Sequence, residues 1–287
     1  MIRQRCPTEP ELAGHRALRR DRDSYDVGGA GGGAGNTDFD GWFAHGGQVW
    51  RLAGPIAPPG SSASGGSSLH VVQPVVTLTF DNGPTAGVTE RVLDILKSRD
   101  TPATFFVVGS QLIDPAGREA SHRAVTEGHR LGGHTWSHTI PFGQADDQTV
   151  DSELERTGEA VGAIGGDPLL FRPFGLGGTT DERLMSRHGA DRLRAGGYTC
   201  VLWNSVPGDW CDADGWVDQA VDDVTSHPWT VVVLHDLPVG AADRLDEFLD
   251  RLDALGVEFS QDTPDDCTPI RAGAPTASFA ELGVGDP

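Results

Sequence analysis

The stretch VVTLTFDNGP, residues 75–84, is where the reading of this chain begins. Six β-prone, mostly apolar residues run without a break into Asp81, Asn82 and a Gly-Pro turn. A strand with that pattern is buried on both faces, and such strands belong to parallel sheets covered by helices. Similar runs recur at 103–108 (ATFFVV), 169–174 (LLFRPF), 198–203 (YTCVLW) and 230–234 (TVVVL), with a weaker one at 256–260 (GVEFS). Between them, TERVLDILKSR (89–99) and ADRLDEFLDRLDAL (242–255) place an apolar residue every three or four positions, as amphipathic helices do. Six or seven such units predict an α/β fold, a distorted or incomplete (β/α) barrel rather than an open doubly wound sheet. No G-x-G-x-x-G or Walker pattern follows the first strand to argue otherwise.

Outside this core the composition changes. Residues 1–38 are polar and then glycine-rich (GGAGGGAG, 28–35), and read as a disordered tail and linker. Residues 39–69 carry Phe39, Trp42, Phe43 and Trp50 around a Gly-Gly turn, then PPGSSASGGSS. They read as a hairpin appendage, too small to be stable alone, followed by a second linker. The barrel is expected over 70–267 and a C-terminal tail over 268–287.

The 287 residues are 37% hydrophobic and 22% charged, ordinary for a globular protein, but the formal net charge is −20. An acidic surface repels polyanions, so neither nucleic acid nor an anionic membrane is an expected partner. Oligomeric state is not readable. No apolar run is long enough to span a bilayer, and the arginine-containing N-terminus lacks the apolar segment of a secretory signal. The expected compartment is therefore the cytoplasm. Four cysteines without a C-x-x-C pair do not make a disulfide scaffold, although a Cys200–Cys211 bridge is open on sequence grounds.

In an α/β barrel, catalytic groups follow the C-terminal ends of the strands. Those positions here hold Asp81-Asn82, His134 and His138 after a strand ending near Leu131, Arg172 to Gly175, Asn204 and Asp209-Trp210, and His235-Asp236. Two histidines at a helical i, i+4 spacing can grip one divalent ion. Alone, that spacing is a weak signal, Asp81 could be a turn former, and His235 could be a satisfied core histidine. Chemistry-bearing residues at five strand ends together make the purely structural account a run of coincidences.

At this point the sequence resembles the polysaccharide deacetylase family, the nodulation-protein-like domain of carbohydrate esterase family four, over roughly residues 70–265. Thr79-Phe80-Asp81-Asn82-Gly83-Pro84 is similar to the family's T-F-D-D-G-P motif, and Ala103 to Gly109 to its second strand. His134-Thr135-Trp136-Ser137-His138 resembles its H-(S/T)-x-x-H segment, and Arg172 to Gly175, Asp209-Trp210 and Leu234-His235-Asp236 stand where its later motifs belong. The resemblance implies metal-assisted hydrolysis of an N-acetyl group. Asp81 would be the general base, His235 the general acid, and Arg172, paired with Asp209, would orient Asp81. Asn82, His134 and His138 would hold zinc or cobalt. The backbone near Phe174 would bind the oxyanion, and Trp210 with Leu234 would line the acetyl pocket.

Three departures stand out. Asn82 replaces the family's metal-ligand aspartate, a neutral amide that leaves weak metal binding or none open. The third motif, Arg172-Pro173-Phe174-Gly175, is one residue short of R-P-P-(Y or F)-G, and Val206 stands where the fourth motif often has an aspartate. The expected function is a metal-dependent hydrolase of amide C–N bonds, an N-deacetylase of an N-acylated sugar or small molecule. The alternatives are a hydrolase of another C–N bond, such as a cyclic amide or formamide, working with little or no metal, and a non-catalytic carbohydrate-binding module.

Overall fold

The structure, a computed structural model, describes residues 73–285. The expected tail, hairpin and linkers of 1–69 lie outside the described residues. Among the described residues there are nine strands and six α-helices. The strands are β1 (Val75–Asp81), β2 (Thr104–Val107), β3 (Arg130–Gly133), β4 (Leu170–Phe171), β5 (Thr199–Cys200), β6 (Trp229–His235), β7 (Glu258–Phe259), β8 (Ile270–Arg271) and β9 (Ala274–Pro275). The helices are α1 (Val88–Ser98), α2 (Pro115–Thr126), α3 (Asp147–Gly162), α4 (Arg187–Ala195), α5 (Trp216–Ser226) and α6 (Leu245–Leu255). The sheet runs β6-β1-β2-β3-β4-β5-β8-β9, parallel from β6 to β5, with β7 paired to the start of β1. This is the distorted (β/α) barrel expected from the sequence. Among the described residues no helix is long and apolar enough to cross a membrane.

The pleat sorts β1 into two faces. Val76, Leu78 and Phe80 point outward and pack with Val92, Leu93 and Leu96 of α1 and Phe248 of α6. Thr77, Thr79 and Asp81 are the alternate residues and are also buried. The barrel interior is filled by Phe106, Leu170, Val201, Val231 and Cys267. Three helix starts are capped locally: Asp114, Asp146 and Ser186 cap α2, α3 and α4 by accepting from Ala116, Thr149 and Gly189 N–H. Gly256, at φ 66°, ends α6 in the left-handed conformation that glycine adopts freely.

Several expectations are corrected. The strands expected over 169–174 and 198–203 shrink to two residues each, and in the first of them Pro173 has no N–H with which to extend the ladder. Strand β3 is not an apolar run, since it ends in Gly132-Gly133. A Cβ at Gly132 would lie 2.7 Å from the Leu170 carbonyl oxygen, and one at Gly133 would lie 2.6 Å from Thr157 Cγ2. Residues 268–285 are not a tail: β8 pairs with β5, and Ile270, Phe279 and Leu282 are buried in the core. Cys200 is a free, buried thiol, so the Cys200–Cys211 bridge is not made.

The ring closes between β5 and β6 through a single parallel bridge, Ser205 to Val232. Here the Asn204 side chain takes the place of a ladder residue. Its Oδ1 accepts from Val231 N–H at 2.7 Å and its Nδ2 donates to the Trp229 carbonyl at 2.9 Å. Replacing Asn204 by alanine strands both backbone groups, at about 1–3 kcal/mol for each buried group left unpaired. Asn204→Ala is expected to lower the melting midpoint by several degrees and Asn204→Asp, which keeps the acceptor, by less. A thermal melt in which Asn204→Ala matches the parent protein would remove this closing role.

Candidate active site

The C-terminal ends of β1, β3, β4 and β6 meet around a cleft. Asp81, Asn82, His134, His138, Trp210 and His235 all line it. Asp81 and His235 are Cα partners in the β1–β6 ladder, so strand register places the two expected proton-transfer groups side by side.

Arg172 holds Asp81. Its side chain is 0% exposed, and Nη1 donates to Asp81 Oδ1 at 2.8 Å and to Thr79 Oγ1 at 2.6 Å. Nε and Nη2 donate to the carbonyls of Val201 and Leu202, and the guanidinium lies 4.2 Å over the Phe106 ring. With Oδ1 committed, Oδ2 is the oxygen toward the histidines, 3.8 Å from His134 Nε2.

Asp209 does not pair with Arg172. Its Oδ2 accepts from the His235 backbone N–H at 2.8 Å and its Oδ1 from His235 Nδ1 at 2.9 Å. At 1% exposure this carboxylate serves one histidine twice, fixing its tautomer and turning Nε2 toward the cleft. The expected Arg172–Asp209 pair is thus replaced by two separate ones, Arg172–Asp81 and Asp209–His235. Trp210 meets the His235 ring edge-on at 4.6 Å.

His134 Nδ1 lies 2.9 Å from the Arg172 carbonyl, which can only accept, so this nitrogen carries the proton and Nε2 presents its lone pair. Burial lowers the pKa of His134 and, more strongly, that of His138, where His134 and His235 add to the effect. Both imidazoles are neutral at pH 7. The two rings sit 4.9 Å apart, and the His138 ring lies 3.9 Å from Phe174. The helical spacing read from the sequence is corrected: the segment is a loop, with Thr135 at φ 60° and His138 at φ 52°. Thr135 Oγ1 accepts from His138 N–H and closes it.

Asn82 sits in the left-handed region at φ 71°, a conformation asparagine tolerates, and Gln111 Nε2 donates to its carbonyl at 2.8 Å. The next residue must be glycine, because a Cβ on Gly83 would overlap the Asp236 carboxylate. Asp236 is buried, accepts from Thr89 Oγ1 at 2.5 Å, and has its pKa pushed up to about 6 by burial. Leu234 is packed outward in the core, and Val233, one residue earlier on the inward face, lines the cleft in its stead. Period-two alternation from His235 was the signal for Val233. Val206, at the fourth-motif position, also lines the cleft, as does Trp203, which carried no comparable signal.

Among the described residues no three His, Cys, Asp or Glu side chains form a metal-holding group. The donors in the cleft are instead two neutral imidazoles and the Asn82 amide. With His134 oriented by a carbonyl on its far nitrogen, this set fits zinc or cobalt in donor chemistry, though without an anionic ligand.

Residues 70–191 match the family model described as polysaccharide deacetylase. A chitooligosaccharide deacetylase of Rhizobium leguminosarum bv. trifolii is 31% identical over 56% of this chain and 71% of its own length. The peptidoglycan-N-acetylglucosamine deacetylase PgdA of Listeria monocytogenes is 31% identical over 64% of this chain, which spans only 37% of that longer protein. A family 4 carbohydrate esterase from Streptomyces lividans, solved in complex with acetate, superposes with a TM-score of 0.57 at 26% identity, over 69% of this chain and 97% of that one. The chain belongs to the polysaccharide deacetylase family, and it is a hydrolase of the type that acts on carbon–nitrogen bonds other than peptide bonds.

Proposed function

We propose that the chain removes the acetyl group from an N-acetylated sugar, with Asp81 as general base and His235 as general acid. The observation that carries this is the separate anchoring of the two neighbouring groups in one cleft, Asp81 by Arg172 and His235 by Asp209. Two relatives named for deacetylating peptidoglycan N-acetylglucosamine and chitooligosaccharides support the sugar class.

In the forward reaction Asp81 Oδ2 takes the proton of the attacking water, while Arg172 keeps the carboxylate from rotating away. His134, His138 and Asn82 would hold a divalent ion, which when bound would supply Lewis acidity and make water easier to deprotonate. The backbone N–H near Phe174 supports the oxyanion, the charge whose stabilisation is usually the largest part of such catalysis. His235 Nε2 gives a proton to the departing amine, and the Asp209 carboxylate stabilises the imidazolium that donates it. Trp210 and Val233 frame the acyl group. Presence of both base and acid weighs against a purely binding module. The neutral Asn82 favours, as a second reading, a hydrolase of another C–N bond that needs little metal.

Metal removal separates these readings. EDTA-treated protein is expected to lose hydrolysis of N-acetylglucosamine oligomers and to regain it with Zn²⁺ or Co²⁺. Full activity in protein shown to be metal-free supports the second reading. Asn82→Asp adds a carboxylate to the donor set and is expected to tighten Zn²⁺ binding at least tenfold, about 1.4 kcal/mol, by calorimetry. His235→Ala is expected to lower kcat by roughly 10²–10⁴ with KM changed little. Asp209→Asn removes the charge that favours protonated His235. The alkaline limb of the kcat profile should then move to lower pH, and an unmoved limb would assign the acid elsewhere.

A further inference from the structure

The loop bearing His134 and His138 is gripped from outside the cleft by α3. Glu153, buried on that helix, uses one oxygen for two successive backbone groups. Its Oε2 accepts from Trp136 N–H at 2.7 Å and Ser137 N–H at 2.9 Å, both between the two histidines. The Arg156 guanidinium covers the Trp136 ring at 4.0 Å. Thr157 donates to the Glu153 carbonyl and fills the space beside Gly133, where β3 ends. From the opposite side, Gly109 and Ser110 N–H donate to the carbonyls of Thr135 and Trp136. The loop needs such a grip, because Thr135 and His138 both hold positive φ, which residues with a Cβ adopt only when the surroundings impose it. Glu153 is not among the residues lining the cleft, so it acts through the loop.

We propose that Glu153 is a positioning residue: through the Trp136 and Ser137 N–H groups it imposes the loop conformation that brings His134 and His138 to one centre, and so governs how tightly the cleft binds a divalent ion. This rests on the metal-dependent reading above, and the test keeps the two apart. Glu153→Gln retains an oxygen able to accept both N–H groups, whereas Glu153→Ala does not. With folding checked by circular dichroism, Glu153→Ala is expected to weaken Zn²⁺ binding 10–100-fold by calorimetry, the range typical of groups that orient ligands, and Glu153→Gln by less than threefold. A second readout needs no metal. Amide hydrogen exchange at Trp136 and Ser137 should accelerate at least tenfold in metal-free Glu153→Ala, with α3 itself unchanged.

A folded Glu153→Ala protein with parental Zn²⁺ affinity, or with parental exchange at both amides, overturns the proposal. If the parent protein binds no Zn²⁺, the metal reading and the affinity claim fall together, and exchange alone decides the positioning role. If Glu153→Ala does not fold, Glu153→Asp, whose carboxylate is one methylene shorter, carries the same two readouts with the same outcomes.

Discussion

Everything in the cleft depends on one buried ion pair, Arg172 with Asp81. A guanidinium with 0% exposure loses its hydration, a penalty of several kcal/mol, and the fold must return that through neighbours placed around it. It does so from three directions: Asp81 and Thr79 on β1, the Val201 and Leu202 carbonyls after β5, and the Phe106 ring from β2. The backbone of the same residue continues the network. Its N–H donates to Gly133 and its carbonyl receives His134 Nδ1–H. One residue therefore couples the orientation of Asp81 to that of His134. Removing either charge would leave the other buried without a partner, which typically costs 3–5 kcal/mol.

The second carboxylate, Asp209, is spent differently. Its two oxygens bind the side chain and the backbone of His235, so ring orientation and loop position are set together. Asp81 and His235, the proposed base and acid, are thus held by separate anchors, Arg172 and Asp209. His134 and His138 are kept neutral by burial, which suits them as lone-pair donors. Asn82 adds an oxygen without a charge.

The inner fold serves this arrangement. The inward residues Thr77 and Thr79 of β1 are polar yet fully buried, and each hydroxyl is satisfied, Thr77 by the Asp262 carbonyl and Thr79 by the Val232 carbonyl. Such satisfied groups let Arg172 enter the barrel from β4 without facing an entirely apolar interior. The glycines of β3 let the chain run close to Leu170 and Thr157, and Gly83 lets the Asn82 turn lie on Asp236. Helices α1 and α6 cover the outer face with aliphatic and aromatic side chains whose contribution is burial alone.

The sequence by itself determined the class of fold and the cast of the site. Long apolar runs at β1 and β6 and the leucine periodicity of α1 and α6 are local signals, and residues after strand ends fall at the catalytic end of a barrel by geometry alone. It could not show β3, whose glycines are chosen for close approach and not for apolarity. It could not show that the 198–203 run leaves the ladder, or that the segment after it closes the ring through an asparagine side chain. Nor could it show that 268–285 returns to the sheet. The tertiary structure alone decided the pairings. Asp209 serves His235 rather than Arg172 because the fold brings these two, 26 positions apart in sequence, into contact. Val233 replaces Leu234 because the pleat turns alternate residues inward, and Glu153 reaches the histidine loop because α3 packs beside it. Residue type and order are written along the chain. Which carboxylate meets which cation is a matter of distance in three dimensions, and no spacing in sequence encodes it.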